Sequence, residues 1–521
     1  MKRKRLPIGI QTFAKIREND AYYYVDKTPL ALELIRQGTH FFLSRPRRFG
    51  KSLLLDTLKE LFEGNQALFS GLHAEQHWDW SVRYPVLRFS FGGGVLGSTA
   101  DLMASLDEQL TTLEERFALT AEFSDPRSRF KRLILRLTEQ SGQRVVILID
   151  EYDKPILDRI EEPEQARAIR EVLKDFYSVI KDSDAHVHFA FLTGVSKFSK
   201  VSLFSGLNNL QDLTLDPRYS SLCGYTERDL DTVFAAELPG LDRDEIRRWY
   251  NGYNWLGEAV YNPFDVLLLF ERRQFLPWWF ETGTPTFLIK LLTSRGFFTP
   301  SLSRLHTGAE LLSAFDVDYI SNEALLWQTG YLTIDRVQPS ALGEELFTLS
   351  YPNQEVQTSL NARLLLGLGA EPSTAFDHRQ RLGNLLIAGD TAGLRELFHA
   401  FFASIPHDWY RNNPIAQYEG FYASVFYSYF AALRVQVVVE DATNHGRIDM
   451  AVRFQNQTWL FEFKVVELVP EGKALAQLQA RNYADKYRGD GPVHLIGVEF
   501  SKDSRNIVAF DNLTLSAENS H

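Results

Sequence analysis

Along the first part of the chain, short apolar runs alternate with stretches of helical spacing. Residues 41–43, 86–91, 145–149 and 188–193 have the length and continuity of buried strands. Between them, Leu53, Leu54, Leu58 and Leu61 recur on one helical face, and residues 101–140 repeat that spacing. Strand and helix in turn from residue 41 to residue 194 predict a parallel α/β sheet. Ahead of it, Tyr22, Tyr23, Tyr24 and Val25 form an aromatic strand or loop. It leads into a helix over 30–37, with Thr28 as N-cap and Pro29 at the first helical position. These aromatics suit packing against the sheet domain; stacking on adenine is the alternative.

The style changes from about Gly224. Thr226 and Asp229 carry a capping-box pattern ahead of Leu230, Val233 and Phe234. An aromatic turn, Trp249-Tyr250-Asn251-Gly252-Tyr253-Asn254, follows, and then Tyr261-Asn262-Pro263-Phe264. Helical runs dominate to about residue 310, as in a helical lid or winged-helix insert, and residues 340–410 also have helical spacing. The last part opens with an amphipathic helix over 418–433 that buries Phe421, Tyr422, Val425, Phe426, Tyr429 and Leu433. Strands are expected at 435–439, 447–454, 458–465 and 493–500, with a helix over 472–487. The expected domains are 1–222, 223–370 and 371–521.

The loop after the first run reads Arg45-Pro46-Arg47-Arg48-Phe49-Gly50-Lys51-Ser52. A strand, a polar turn and a helix opening at Gly-Lys-Ser are the context of a phosphate-binding loop. Backbone N–H groups of such a loop and of the helix N-terminus converge where an anion is favoured. Lys51 would reach the β- and γ-phosphates of ATP, and Ser52 would place its hydroxyl on Mg²⁺. Arg47, Arg48, Phe49 and Gly50 complete the expected nucleotide cradle. Arg45 stands where the pattern has glycine, and a plain basic turn before a helix is the blander alternative.

The run 145–149 ends in Asp150 and Glu151, at the strand end where open α/β sheets bind ligands. Asp150 would hold Mg²⁺ through water and Glu151 would polarise the attacking water. Thr193, ending the next run, would sense the γ-phosphate, or it is an ordinary strand-end threonine.

The C-terminal strands carry a second constellation. Glu462 and Lys464 differ by two and share one side of a strand, while Phe463 faces the core. Hairpin pairing through the turn Gln455-Asn456-Gln457 brings Asp449 near Glu462. Two carboxylates and an ammonium suit a hard cation such as Mg²⁺, held by Asp449 and Glu462. Lys464 would orient or deprotonate a water for attack on a phosphodiester and stabilise the charged phosphorus centre. Glu419 opens the preceding helix, and Gln477, Tyr483 and Lys486 lie on the following one. A solvated sheet edge with an ion pair is the competing reading.

Composition narrows the field. The formal net charge of −11 argues against a nucleic-acid coat over the whole surface, though a local basic groove remains open. A single cysteine, Cys223, excludes an intrachain disulfide and a cysteine-rich zinc site, and fits a reducing cytoplasm. No apolar stretch is long enough to span a bilayer, and the basic N-terminus lacks the apolar run of a signal peptide.

The chain resembles a bacterial family that joins an AAA-ATPase-like domain to a C-terminal PD-(D/E)xK nuclease-superfamily domain. The N-terminal likeness rests on Tyr24-Val25-Asp26-Lys27-Thr28, the loop 45–52, Leu148-Ile149-Asp150-Glu151-Tyr152-Asp153, Leu192-Thr193-Gly194 and the turn 249–253. The C-terminal likeness rests on Gly446-Arg447-Ile448-Asp449, Phe461-Glu462-Phe463-Lys464 and residues 474–483. The resemblance implies that the arginine-bearing loop is the family's own form. It also implies Glu419, Asp449, Glu462 and Lys464 as nuclease positions. Ile448 stands where the superfamily often has proline before the first strand carboxylate.

The expected fold is therefore α/β: a P-loop parallel-sheet ATPase domain, a helical or winged-helix lid, and a C-terminal restriction-endonuclease-like α/β domain. The expected activity is ATP binding and hydrolysis coupled to a Mg²⁺-dependent nuclease acting on nucleic acid, DNA first, in the cytoplasm. A non-cleaving ATPase switch that binds nucleic acid or a protein partner is the alternative, and a signalling module that never meets DNA is a third. The expectation includes no membrane partner, and it leaves room for a homo-oligomer.

Overall fold

The computed structural model describes all residues except 1–2, 20, 199–208, 283–285, 296, 314–315, 341–342, 369, 406–418, 444–445, 468, 488–490 and 517–521. The chain forms two compact units. One comprises Met1–Thr282 and His306–Asn353, the other Gly283–Leu305 and Gln354–His521.

In the first unit, strands β1 (His40–Ser44), β2 (Val86–Ser90), β3 (Val145–Asp150), β4 (Val187–Gly194) and β5 (Gln211–Asp212) form one sheet in the order β2-β3-β4-β1-β5. Every pairing is parallel. Val145, Val146, Ile147, Leu148 and Ile149 are all fully buried. A parallel strand covered by helices on both faces must be apolar throughout, and this is the source of the unbroken apolar run. β5 escaped the sequence reading because a two-residue strand shows no periodicity.

Helices α1 (Thr28–Gln37), α2 (Lys51–Phe62), α3 (Thr99–Arg116), α4 (Pro126–Ser141) and α5 (Pro163–Asp182) accompany the sheet. The start of α1 differs from expectation. Thr28 is already helical, and Asp26 Oδ1 accepts from both Thr28 N (2.9 Å) and Thr28 Oγ1 (2.7 Å). An aspartate two residues upstream thus takes over the capping role expected of Thr28.

Three further helices, α6 (Glu227–Thr232), α7 (Arg243–Tyr250) and α8 (Pro263–Arg272), share a core with Tyr23 and Val25. The capping box at Thr226 and Asp229 is present in both directions. Beyond them lie β6 (Leu305–Gly308), α9 (Asn322–Gln328), β7 (Thr333–Pro339) and β8 (Glu345–Ser350), with sheet order β6-β8-β7. β8 falls inside the stretch expected to be helical. Phe347, Thr348 and Leu349 are all buried, and β8 pairs antiparallel with β7.

The second unit contains α10 (Gln354–Gly367), α11 (Pro372–Ala388), α12 (Thr391–Ser404) and α13 (Glu419–Ala431). A mixed sheet follows: β9 (Gln436–Thr443), β10 (Gly446–Phe454), β11 (Gln457–Val466), β12 (Val493–Ser501) and β13 (Asn506–Leu515), in the order β13-β12-β11-β10-β9. Phe426 of α13 stacks on Phe398 at 3.7 Å and meets Phe463 of β11 at 5.0 Å, which fixes the helix on the sheet. β11 and β12 are parallel, so a crossover must join them, and α14 (Lys473–Ala480) lies on that crossover. The helix expected over 472–487 stops at Ala480; Asn482 has φ 47°, and a 3-10 turn spans Tyr483–Tyr487.

Candidate nucleotide and metal sites

The loop between β1 and α2 is fixed from outside itself. Arg48 (φ 68°) and Gly50 (φ 92°) take left-handed backbone conformations that turn the chain into α2. Arg45, in place of the expected glycine, is fully buried. It donates to the carbonyls of Ser44 (2.8 Å), Thr214 (3.0 Å) and Tyr219 (3.3 Å), and its guanidinium lies 4.0 Å from the centre of the Trp255 ring. Burial lowers its pKa to about 10. Phe49 is packed edge-on between Tyr253 and Trp255, and its carbonyl accepts from Gly224 N. Trp279 Nε1 donates to Arg47 O at 3.0 Å. The aromatic turn noted in the sequence therefore clamps the loop.

Lys51 Nζ donates to Arg45 O and Pro46 O, each at 2.9 Å. Burial depresses its pKa, and the charges of Asp150 and Glu151 are the main opposing influences, which places the ammonium within their field. Ser52, Gly50, Arg47, Arg48 and Glu151 all line one cleft of about 510 Å³.

Asp150 ends β3, almost wholly buried, and accepts from Thr193 Oγ1 at 2.9 Å. Thr193 is on β4, which runs between β3 and β1, and stands opposite Leu43 of β1. It thus occupies the strand between the loop that holds Lys51 and the strand that holds Asp150. Glu151 has φ 52°, and its carboxylate lies against Gly92, where an added Cβ would come within 3.1 Å of Glu151 Oε2. Burial raises the Glu151 pKa, Lys51 opposes that rise and Asp150 adds to it.

Sequence reasoning gave Asp153 no role. It is buried and accepts from Val195 N (3.0 Å), Ser196 N (2.6 Å) and Ser196 Oγ (2.5 Å), tying the β3 turn to the end of β4. Its partners give it a structural role, and nothing in its position beside Asp150 and Glu151 signals that tie.

In the second unit, the β10–β11 ladder ends at Met450 opposite Phe461, and Asp449 and Glu462 are the next residue on each strand. Asp449 Oδ2 accepts from Phe463 N at 2.8 Å, so the aspartate reaches across to the β11 backbone. Lys464 Nζ lies 3.5 Å from Glu462 Oε1, and Gln477 Nε2 donates to that same oxygen. Glu462 is 1 % exposed, and its Oε2 has no hydrogen-bond partner among the described residues. Its pKa is raised to about 7, by burial first and then by Asp449, with Lys464 opposing. Burial raises Asp449 too, against the Phe463 N–H and Lys464. Asp449, Glu462 and Lys464 converge as expected. Glu419 begins α13, but its side chain lies outside the described residues.

Two residues of β12 with no expected role complete this corner. A Cβ on Gly497 would lie 2.2 Å from Leu475 N, so only glycine lets α14 approach the strand this closely. Glu499 accepts from Glu471 N (2.6 Å) and Lys473 N (2.7 Å) at the start of α14. Burial pushes its carboxyl up, but these backbone donors outweigh burial and hold it below the usual range.

Residues 7–204 match the family described as "Predicted AAA-ATPase", and residues 417–510 match the PD-(D/E)XK nuclease superfamily. The chain is 63% identical over 511 residues to an "Uncharacterized protein in vnfD 5'region" of Azotobacter chroococcum mcd 1, covering 98% of this chain and 99% of that protein. The chain belongs to this family of AAA-ATPase-like proteins with a PD-(D/E)XK domain. No solved structure matches it.

For an AAA-ATPase-like protein with a PD-(D/E)XK domain, a nucleotide and a divalent cation are the groups to test against the donors present. The cleft joins a cationic loop, a helix N-terminus and the Glu151 carboxylate, a donor set that suits a magnesium–triphosphate. In the PD-(D/E)XK domain, the unpartnered Glu462 Oε2 and the adjoining Asp449 carboxylate offer hard oxygen donors to a cation. Among the described residues, no cluster of three or more His, Cys, Asp or Glu forms a metal cage, so a cation here would keep ligands from water or substrate. Also among the described residues, no helix is long and apolar enough to cross a membrane.

Proposed function

We propose that this protein binds and hydrolyses ATP in its first unit and, under that control, cleaves phosphodiester bonds of nucleic acid in its second. The observation that carries the reading is the meeting of Asp449, Glu462 and Lys464 at the end of one strand pair, with a buried carboxylate oxygen that has no partner among the described residues. A divalent cation bound there would supply Lewis acidity toward a phosphoryl oxygen. Asp449 and Glu462 would hold it, Gln477 would orient Glu462, and Lys464 would position the attacking water. In the ATP cleft, Lys51 and Ser52 would bind the phosphates and their Mg²⁺, Asp150 would hold that ion's water, and Glu151 would polarise the nucleophile.

The test is cleavage of plasmid and single-stranded DNA by purified protein with and without ATP and Mg²⁺. Wild type should cleave with Mg²⁺ and respond to ATP, while Asp449→Ala and Lys464→Ala should lose cleavage and keep ATPase activity. If wild type does not cleave under any of these conditions and Lys464→Ala is indistinguishable from it, the domain is a non-cleaving module and the ATPase-switch reading replaces this one.

A further inference from the structure

The ATP cleft is larger than phosphates require. Beyond Lys51 and Ser52 it continues between the N-terminal segment, at Ile10 and Tyr24, and the start of α8, at Pro263, Phe264 and Leu267. Tyr24 is committed elsewhere: its ring packs edge-on against Phe13, and its hydroxyl pairs with Thr57 Oγ1. Phe264 is half-buried, and the guanidinium of Arg48 lies 5.0 Å from the centre of its ring. Arg48 is exposed and belongs to the same loop as Lys51. The cation that covers the Phe264 ring therefore belongs to the loop expected to meet phosphate.

A guanidinium on a ring face at the surface is weakly held. A triphosphate is a much stronger partner for it, through charge-assisted bonds. A flat base is in turn a good partner for the vacated ring. We propose that Phe264 is the stacking platform for the nucleotide base, and that Arg48 leaves its ring for the phosphates when the nucleotide enters. Base recognition and phosphate grip are then one exchange, since neither contact is complete until Arg48 moves. This rests on the nucleotide reading of the cleft.

Isothermal titration of the full chain with MgATP, Mg-tripolyphosphate and adenosine tests the exchange. Phe264→Ala should weaken MgATP by about tenfold while tripolyphosphate binds as tightly as to wild type or slightly more tightly, since Arg48 no longer has a ring to leave, and Phe264→Trp should restore MgATP. Arg48→Ala should act in opposite directions, weakening tripolyphosphate yet tightening adenosine, because the nucleoside no longer displaces a cation. Equal weakening of MgATP and tripolyphosphate by Phe264→Ala, or no effect on either, overturns the platform. Adenosine unchanged or weakened by Arg48→Ala overturns the exchange. Wild type that binds neither MgATP nor tripolyphosphate removes the nucleotide reading itself, and this inference with it.

Discussion

The ammonium of Lys51 rests on the carbonyl oxygen of Arg45, 2.9 Å away within its own loop. A second carbonyl, that of Pro46, takes another of its protons. Both acceptors are neutral. Phosphate oxygens are charged and accept more strongly, so an incoming triphosphate can draw the buried cation off the loop.

Lys51→Ala removes that cation. Wild type should gain thermal stability with MgATP, by about 2.7 kcal/mol at a hundredfold excess over Kd, and the variant should gain none. Thermal unfolding with and without MgATP reads this directly. A variant still stabilised by MgATP would place nucleotide binding elsewhere.

Arg45→Gly restores the residue that the general P-loop pattern has, and it should harm the protein. The substitution strips three buried carbonyls of a donor and empties the space over Trp255. A loss of about 3–5 kcal/mol follows from an unmade buried network plus the cavity. Chemical denaturation measures it. A stable Arg45→Gly protein would mean that the aromatic clamp holds the loop unaided.

Much of this was legible in the chain. The runs at 145–149 and 188–193 announced buried strands because full burial on both faces favours apolar residues and admits a polar one only where it is hydrogen-bonded, as Thr193 is. Glu462 and Lys464 announced a shared face because strand periodicity is strict. Other features depend on contacts between residues far apart in sequence. Nothing local distinguishes Arg45 as a core residue, since its acceptors at Thr214 and Tyr219 come from a distant segment. Glu499 looks like one strand acid among many until α14 arrives on it. The strand at 345–350 was hidden because it is short and both strands it pairs with, β6 and β7, lie upstream in the chain.

Glu151→Gln keeps the shape of the side chain and removes its ability to take a proton. MgATP should bind the variant about as tightly as wild type, while turnover should fall by about 10²–10³-fold. Titration calorimetry and phosphate release separate the two effects. Undiminished turnover would show that another group activates the water. Weakened binding would show that Glu151 acts on the bound metal or on Lys51.

The Glu462 carboxyl titrates at about 7 in the folded chain instead of its ordinary 4.5, chiefly because it is buried and secondly because Asp449 is beside it. The folded protein therefore holds a proton that the unfolded chain releases. Stability from this group is complete below the unfolded value and disappears as pH rises through about 7. Glu462→Gln carries no such loss. Without divalent ions at about pH 8 it should be more stable than wild type by up to about 3 kcal/mol, and the gap should close toward pH 5. Added Mg²⁺ should narrow or reverse the gap at pH 8, because only the wild-type carboxylate offers the ion a charge. Thermal unfolding across pH, with EDTA or Mg²⁺, carries the comparison. Identical curves for the two proteins at both pH values would mean that Glu462 is solvated and that the second unit has no pocket waiting for a cation.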